Sequence, residues 1–225
     1  MRLLRLLLAS VTLMAASAGV FAAEPKNGID YITLDTPRVD AGKKIEVVEF
    51  FSYSCPHCNA LEPLMAQWVK QQGDKVAFRR VHMMFGGPKD PQAFAYATLE
   101  AMGKLDVVHD KIFHAIHAER VRLNKDEAVT DFVAKNGIDK AKYQEMFSSF
   151  GVQTKIKRNA QLAASYKIDS APSIVIDGRF VTSPSLAGRP GQPEQQSQQA
   201  TIAVMDALVA KAQKEKGIAP AKAAK

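Results

Sequence analysis

Ile45-Glu46-Val47-Val48-Glu49-Phe50-Phe51-Ser52-Tyr53-Ser54-Cys55-Pro56-His57-Cys58 is the stretch from which the fold can be read. Its first seven residues are β-branched or aromatic and, apart from two glutamates, apolar on both faces. That pattern predicts a central strand buried on both sides. From the cysteines onward the period changes: Leu61, Leu64, Met65, Trp68 and Val69 recur three and four apart, as on the buried face of a helix. Cys55 and Cys58 stand at the junction and are the only two cysteines of the 225 residues. Thiols at this spacing can close a small-ring disulfide that opens as readily as it forms. The ring is too short to restrict the unfolded chain much, so a structural staple is a poor purpose for it. The pair either reacts or binds something jointly.

Outward from this stretch, Tyr31-Ile32-Thr33-Leu34 predicts an edge strand, followed by turn formers around Pro37. Lys75 to Met84 predicts another strand, with Val76, Phe78 and Arg80 on one face. Strand, helix, strand begins an α/β layer. From Pro91 to about Ile168 only helical segments are evident, over 91–103, 105–119, 125–136, 139–149 and 151–166, punctuated by Gly103, Asn136-Gly137 and Gly151. Strand character returns in Ser173-Ile174-Val175-Ile176. Asp177-Gly178 signals a two-residue hairpin, with Arg179 to Thr182 as its second arm. A loop from Pro184 to Gln199 leads to a last amphipathic helix over 201–214. The two β-containing halves are expected to build one sheet. The layout resembles a thioredoxin-like α/β fold interrupted by an all-helical insertion. The expected divisions are a signal peptide over 1–22, a first thioredoxin-like part over 23–87, the helical insertion over 88–167, the second part over 168–214, and a disordered tail over 215–225.

The N-terminus describes a compartment. Met1-Arg2-Leu3-Leu4-Arg5 is a short basic start, Leu6 to Val20 is apolar or small, and Val20-Phe21-Ala22 suits a signal peptidase. A membrane anchor is the competing reading, but an apolar core of about 15 residues falls short of the roughly 20 needed to span a bilayer. No basic cluster follows it. Loss of Arg2 and Arg5 on cleavage lowers the formal charge by two from the +7 of the whole chain. The remaining basic residues are not interleaved with aromatics and form no Arg-rich stripe. Nucleic-acid binding is therefore a poor reading of this charge, and a solvated basic surface the better one. Disulfides persist in the compartments that exported proteins reach.

At the start of a helix, Cys55 would face unpaired backbone N–H groups and the positive end of the helix dipole. Both favour thiolate over thiol. Pro56 suits the first turn because its missing N–H has no intrahelical partner to lose, and a protonated His57 would add positive charge. A stabilised thiolate stabilises the dithiol form and makes the disulfide an oxidant. Zinc held by Cys55, Cys58, His57 and His82 is conceivable, but the second ligand pair common in structural zinc sites is missing. Covalent haem would need histidine where Asn59 stands.

Two further residues carry alternatives. Pro172 precedes an apolar strand, where a proline is by default a trans boundary. In the thioredoxin layout, the reading that the rest of the pattern favours, the same place holds a cis-proline loop packed on the cysteines, which leaves backbone groups free for an extended peptide. Glu49, in an otherwise apolar strand, either reaches solvent as Glu46 does or is a buried carboxylate exchanging protons with Cys58, with Arg80 as charge partner. The second reading is favoured. His82, His109, His114 and His117 lack carboxylate ligands in pattern, which points to surface or packing roles. Trp68, Met83 and Met84 are expected in the core, and one of the methionines could also line a peptide groove.

The chain resembles the DsbA family of periplasmic thiol:disulfide oxidoreductases. The resemblance is carried by Val48 to Cys58, Val81-His82, Gly86-Gly87, Ala171-Pro172 and Asp177-Gly178. Members of this family exemplify a depressed cysteine pKa and an oxidising disulfide, and the resemblance implies the direction of both here. It further implies a periplasmic dithiol oxidase that donates its disulfide to reduced, unfolded exported proteins. Cys55 would be the attacked sulfur and Cys58 the buried one that resolves the mixed disulfide. His57, Ala171 and Pro172 would contact substrate, and a DsbB-like inner-membrane reoxidase would restore the disulfide. No cofactor or metal is expected, and the chain is expected to be a monomer. Ala171 departs from the valine frequent at its position, and Arg80 from lysine. The 188–199 segment has no evident role. An isomerase or reductase is the nearest alternative, though the N-terminal dimerisation domain usual in such isomerases finds no room between Ala23 and the first core strand. A non-redox metal- or peptide-binding module is the alternative from another class.

Overall fold

The computed structural model of the chain describes residues 24–218; the signal-peptide expectation over 1–22 lies outside them. In chain order the elements are β1 (Ile32–Thr33), β2 (Ile45–Phe51), α1 (Pro56–Gln72), β3 (Val76–His82), α2 (Pro91–Ala101), α3 (Leu105–His117), α4 (Asp126–Lys135), α5 (Lys140–Phe147), α6 (Phe150–Ser165), β4 (Ser173–Ile176), β5 (Phe180–Thr182), α7 (Pro184–Ala187) and α8 (Glu194–Glu215). The strands form one five-stranded sheet in the order β1-β5-β4-β2-β3. β2 pairs parallel with β3, Glu49 opposite Arg80, and antiparallel with β4, Glu49 opposite Ile174. The helical block α2–α6 is inserted between β3 and β4, so the thioredoxin-like α/β fold with an all-helical insertion is the architecture observed.

The alternation of β2 explains its two-sided burial. Ile45 and Val47 pack with Leu61, Met65 and Trp68 of α1 and with Val204, Met205 and Leu208 of α8. Val48 and Phe50 point the other way, onto Val81, Val175 and Tyr166 at the end of α6. Each such side chain, fully removed from water, contributes about 1.5–3 kcal/mol. A further cluster joins Phe51, Tyr53 and Cys58 to Leu99, Ile112, Phe113, Val129 and Val133 of the insertion. The insertion thus closes over the end of the strand that leads into the cysteines.

Three expectations are corrected. α8 begins at Glu194, a full two turns before residue 201, because Pro193 caps a glutamine-rich run that is helical and whose Gln198 and Thr201 are buried. Glutamine is a good helix former, but it shows no apolar period. The preceding loop also contains α7, where the Ser183 side chain accepts the Leu186 N–H. The hairpin turn has positive φ at Asp177 (55°) and Gly178 (67°), as expected, but the ladder pairs Ile176 with Phe180, which leaves Arg179 in the turn. Finally, of the tail expected to be disordered over 215–225, residues 215–218 are ordered, and 219–225 lie outside the described residues. Glu215 closes α8, Lys216 pairs with Asp177 at 2.6 Å, and Ile218 packs on the core. Among the described residues no helix is long and apolar enough to cross a membrane.

Candidate active site at the Cys55–Cys58 pair

Cys55 caps the N-terminus of α1, extended at φ −82° and ψ 117°, and Pro56 occupies the first turn. Both cysteines are free thiols, Cys55 half-buried and Cys58 buried. The Cys58 backbone N–H donates to Cys55 Sγ at 3.2 Å. The Cys55 thiol also lies 3.4 Å from the Ala171 carbonyl, to which it can donate. The Ala171–Pro172 peptide bond is cis, so the boundary reading of Pro172 gives way to the loop reading. Cys55 and the Pro172 loop, far apart in the chain, are brought together because β2 and β4 are neighbours in the sheet.

The Cys55 thiol is lowered to about 6. Its largest cause is the hydrogen bond from the Cys58 side chain; burial opposes it, and the backbone N–H groups of Cys58 and His57 and the charge of His57 add to it. The helix-start argument therefore holds, but the neighbouring thiol outweighs it. Cys58 is driven the other way, by serving Cys55 as donor, by burial, and by the negative charge of Cys55 and Glu49. One sulfur is disposed to be thiolate and the other to keep its proton.

His57 is largely exposed, and its Nδ1 lies 2.5 Å from Glu194 Oε1 at the start of α8. That hydrogen bond raises the imidazole's pKa. Glu194 was not legible as a site residue, since nothing local marks it and the sequence pattern starts its helix too late.

Glu49 is buried, with Oε2 accepting from Arg80 Nε at 2.8 Å, so the buried-carboxylate reading describes its position. The same guanidinium donates to Glu62 Oε1 at 2.7 Å. Burial raises both carboxyls, Glu62 to about 7, against the lowering pull of Arg80. Glu62 was missed by sequence reasoning. It stands on α1 between apolar positions, which is the signal a search for buried charge would use.

The histidines also do more than pack. Tyr53 donates its backbone N–H to His82 Nε2 at 3.0 Å, shares its hydroxyl with His109 Nδ1 at 2.8 Å, and accepts at its carbonyl from His117 Nε2 at 2.8 Å. All three polar groups of this residue, two before Cys55, are held by histidines from β3 and α3. Burial lowers the pKa of His82 and of His109 to about 4, which keeps both rings neutral. His114 instead faces solvent beside Glu119.

Beside the cysteines runs a groove of about 530 Å³, bounded by His57, Ala171, Pro172, Leu186, Glu194 and Ser197. The 188–199 segment thus supplies one of its walls.

A family model described as the DSBA-like thioredoxin domain matches residues 46–200. The thiol:disulfide interchange protein DsbA of Bordetella pertussis is 39% identical over 183 residues, covering 81% of this chain and 87% of that protein. That of Pseudomonas syringae pv. tomato is 36% identical over 227 residues, covering 99% and 100%. The crystal structure of Pseudomonas aeruginosa DsbA matches with a TM-score of 0.75 at 33% identity, covering 84% of this chain and 95% of that one. The chain belongs to the DsbA family. It is a thiol:disulfide oxidoreductase, and its reaction is the exchange of a disulfide between sulfurs through a mixed-disulfide intermediate. The cysteine pair and the helical insertion were read from sequence, while the places of Glu62 and Glu194 beside the site emerge only from the fold.

Proposed function

We propose that this chain is a periplasmic dithiol oxidase acting on newly exported proteins. A substrate thiolate attacks Cys55 Sγ of the disulfide, and the Cys55–Cys58 bond breaks, leaving Cys58 as thiolate to take up a proton. A second substrate thiolate attacks the substrate sulfur of the mixed disulfide and releases Cys55 as thiolate. The substrate loses two electrons and forms a disulfide; the enzyme gains them and becomes the dithiol. The observation that carries this reading is the contrast within the pair: Cys55 half-exposed and lowered to about 6, Cys58 buried and pushed up. A stable Cys55 thiolate is a good leaving group and favours the dithiol form, so the disulfide is oxidising.

Glu49 is assigned the proton exchange with Cys58, because its charge already acts on that sulfur and Arg80 tethers it. Pro56 and His57 tune Cys55; His57, Ala171 and Pro172 meet the substrate backbone along the groove. A quinone-linked inner-membrane protein of the DsbB kind restores the disulfide, and residues 1–22 direct export. The chain acts as a monomer, with divisions at about 87 and 167 separating the thioredoxin-like parts from the insertion.

The test is stoichiometric oxidation of a reduced unfolded protein by the disulfide form under anaerobic conditions. One substrate disulfide per enzyme is expected, and none with Cys55→Ser. An equilibrium with glutathione close to that of thioredoxin would instead assign a reductase.

A further inference from the structure

Away from the redox sulfurs, Glu62 of α1 meets His109 and Asp110 of α3, with one ligand atom from each lying within 4.8 Å of the others. Glu62 and His109 are buried and Asp110 faces solvent. The His109 side chain is only 9% exposed, yet its Nε2 has no hydrogen-bond partner and lies 3.5 Å from Glu62 Oε2. The rest of the ring and the carboxylate are spoken for. His109 Nδ1 is held by the Tyr53 hydroxyl at 2.8 Å, and Glu62 Oε1 by Arg80 at 2.7 Å. What remains is one nitrogen and one oxygen, each immobilised by an outer partner as ligands to metals commonly are.

The spacing is that of two ligands on one ion. Zinc bonds of about 2.0–2.2 Å at tetrahedral angles separate neighbouring ligand atoms by about 3.3–3.6 Å. Charge points the same way. Glu49 and Glu62 share the single guanidinium of Arg80, Asp110 stands beside Glu62 and His109, and Asp106 adds its negative field at His109. A divalent cation would add positive charge where carboxyl groups outnumber the one guanidinium. The nitrogen ligand favours a transition metal over magnesium or calcium, which prefer oxygen alone. The exposed Asp110 gives the ion an entrance.

We propose that Glu62 Oε2, His109 Nε2 and a carboxylate oxygen of Asp110 form a binding site for a divalent transition-metal ion of the Zn2+ type, with water completing the coordination. The ion would join α1, which carries the cysteines, to α3 of the insertion. It would also act, through Arg80, on Glu49.

The test is calorimetric titration of the disulfide form with ZnCl2; in that form both sulfurs are bonded to each other and cannot ligate. One ion per chain is expected, with affinity falling at least tenfold in Asp110→Asn and lost in His109→Asn. Zinc should raise the melting temperature of the wild-type disulfide form and not that of Asp110→Asn, since only an ion bound to the folded state stabilises it. Asp110 is exposed, so its variant keeps the test decisive should His109→Asn fold poorly. No saturable binding at millimolar zinc would overturn the proposal. So would an affinity unchanged by Asp110→Asn, which would put the ion on surface pairs such as His114 with Glu119.

Discussion

His57 Nδ1 lies 2.5 Å from Glu194 Oε1, and this contact ties the residue between the two cysteines to the first turn of the last helix. The carboxylate keeps the imidazole protonated to higher pH, and the imidazolium in turn favours the Cys55 thiolate. Glu194→Gln should therefore lower the His57 pKa toward its ordinary value, read from the imidazole resonances in an NMR titration. The folded pKa of His57 is raised, so the contact's stability contribution is present at low pH and lost as pH rises through that pKa. Both side chains are substantially exposed, which limits the contribution to about 0–1 kcal/mol. An unmoved imidazole titration would mean that the contact is not held in solution.

Cys55 titrates at about 6 against an ordinary value of 9.0. Thiolate absorbance of the dithiol form should show a midpoint near that lower value, followed by no second transition near neutrality from Cys58. Because the folded pKa is depressed, the stabilisation of the dithiol form is complete above the ordinary value and is lost as pH falls through about 6. Denaturant unfolding should accordingly show the dithiol form gaining on the disulfide form between pH 5 and pH 8. A disulfide form that is the more resistant at the higher pH would contradict the thiolate argument.

Glu49→Gln removes the exchangeable proton but keeps an acceptor for Arg80 at 2.8 Å. Slower exchange with a small dithiol is expected, with the Cys55 titration little changed. Stopped-flow fluorescence over pH 5–8 measures it. Equal rates throughout would assign Glu49 a structural role alone.

Tyr53→Phe deletes the hydroxyl that meets His109 Nδ1 at 2.8 Å while keeping the ring and both backbone contacts with His82 and His117. A buried imidazole nitrogen is left without its partner, which costs about 1–3 kcal/mol. Urea unfolding should register this loss with the cooperativity unchanged.

Lys216→Met leaves the fully buried Asp177 without the ammonium at 2.6 Å, the ion-pair partner it has among the described residues. Breaking such a pair from one side costs about 3–5 kcal/mol. Replacing both residues should cost less than the single change, a double-mutant comparison that separates the pair's net worth from the penalty of a stranded charge.

Residues within a few positions of one another decided what the sequence by itself determined. The alternation and burial of Ile45–Phe51, the helical periods of α1 to α6, the turn at Asp177-Gly178 and the cysteine pair at a helix start all follow from local sterics and from apolar residues recurring at the period of the element. The start of α8 escaped because its first turns are glutamines, whose burial at Gln198 depends on what packs against them. Glu49 and Arg80 were matched from sequence as opposite charges on neighbouring strands, and the parallel pairing of those strands puts them in register. The other partnerships belong to the tertiary structure alone: Glu194 with His57, the three histidines on Tyr53, Lys216 with Asp177, and Glu62 with His109. Each joins groups far apart in the chain, and their orientation depends on how separate elements pack. The sequence located the sulfurs and the helix that activates them; only the packed fold decided which charges and hydrogen bonds surround them.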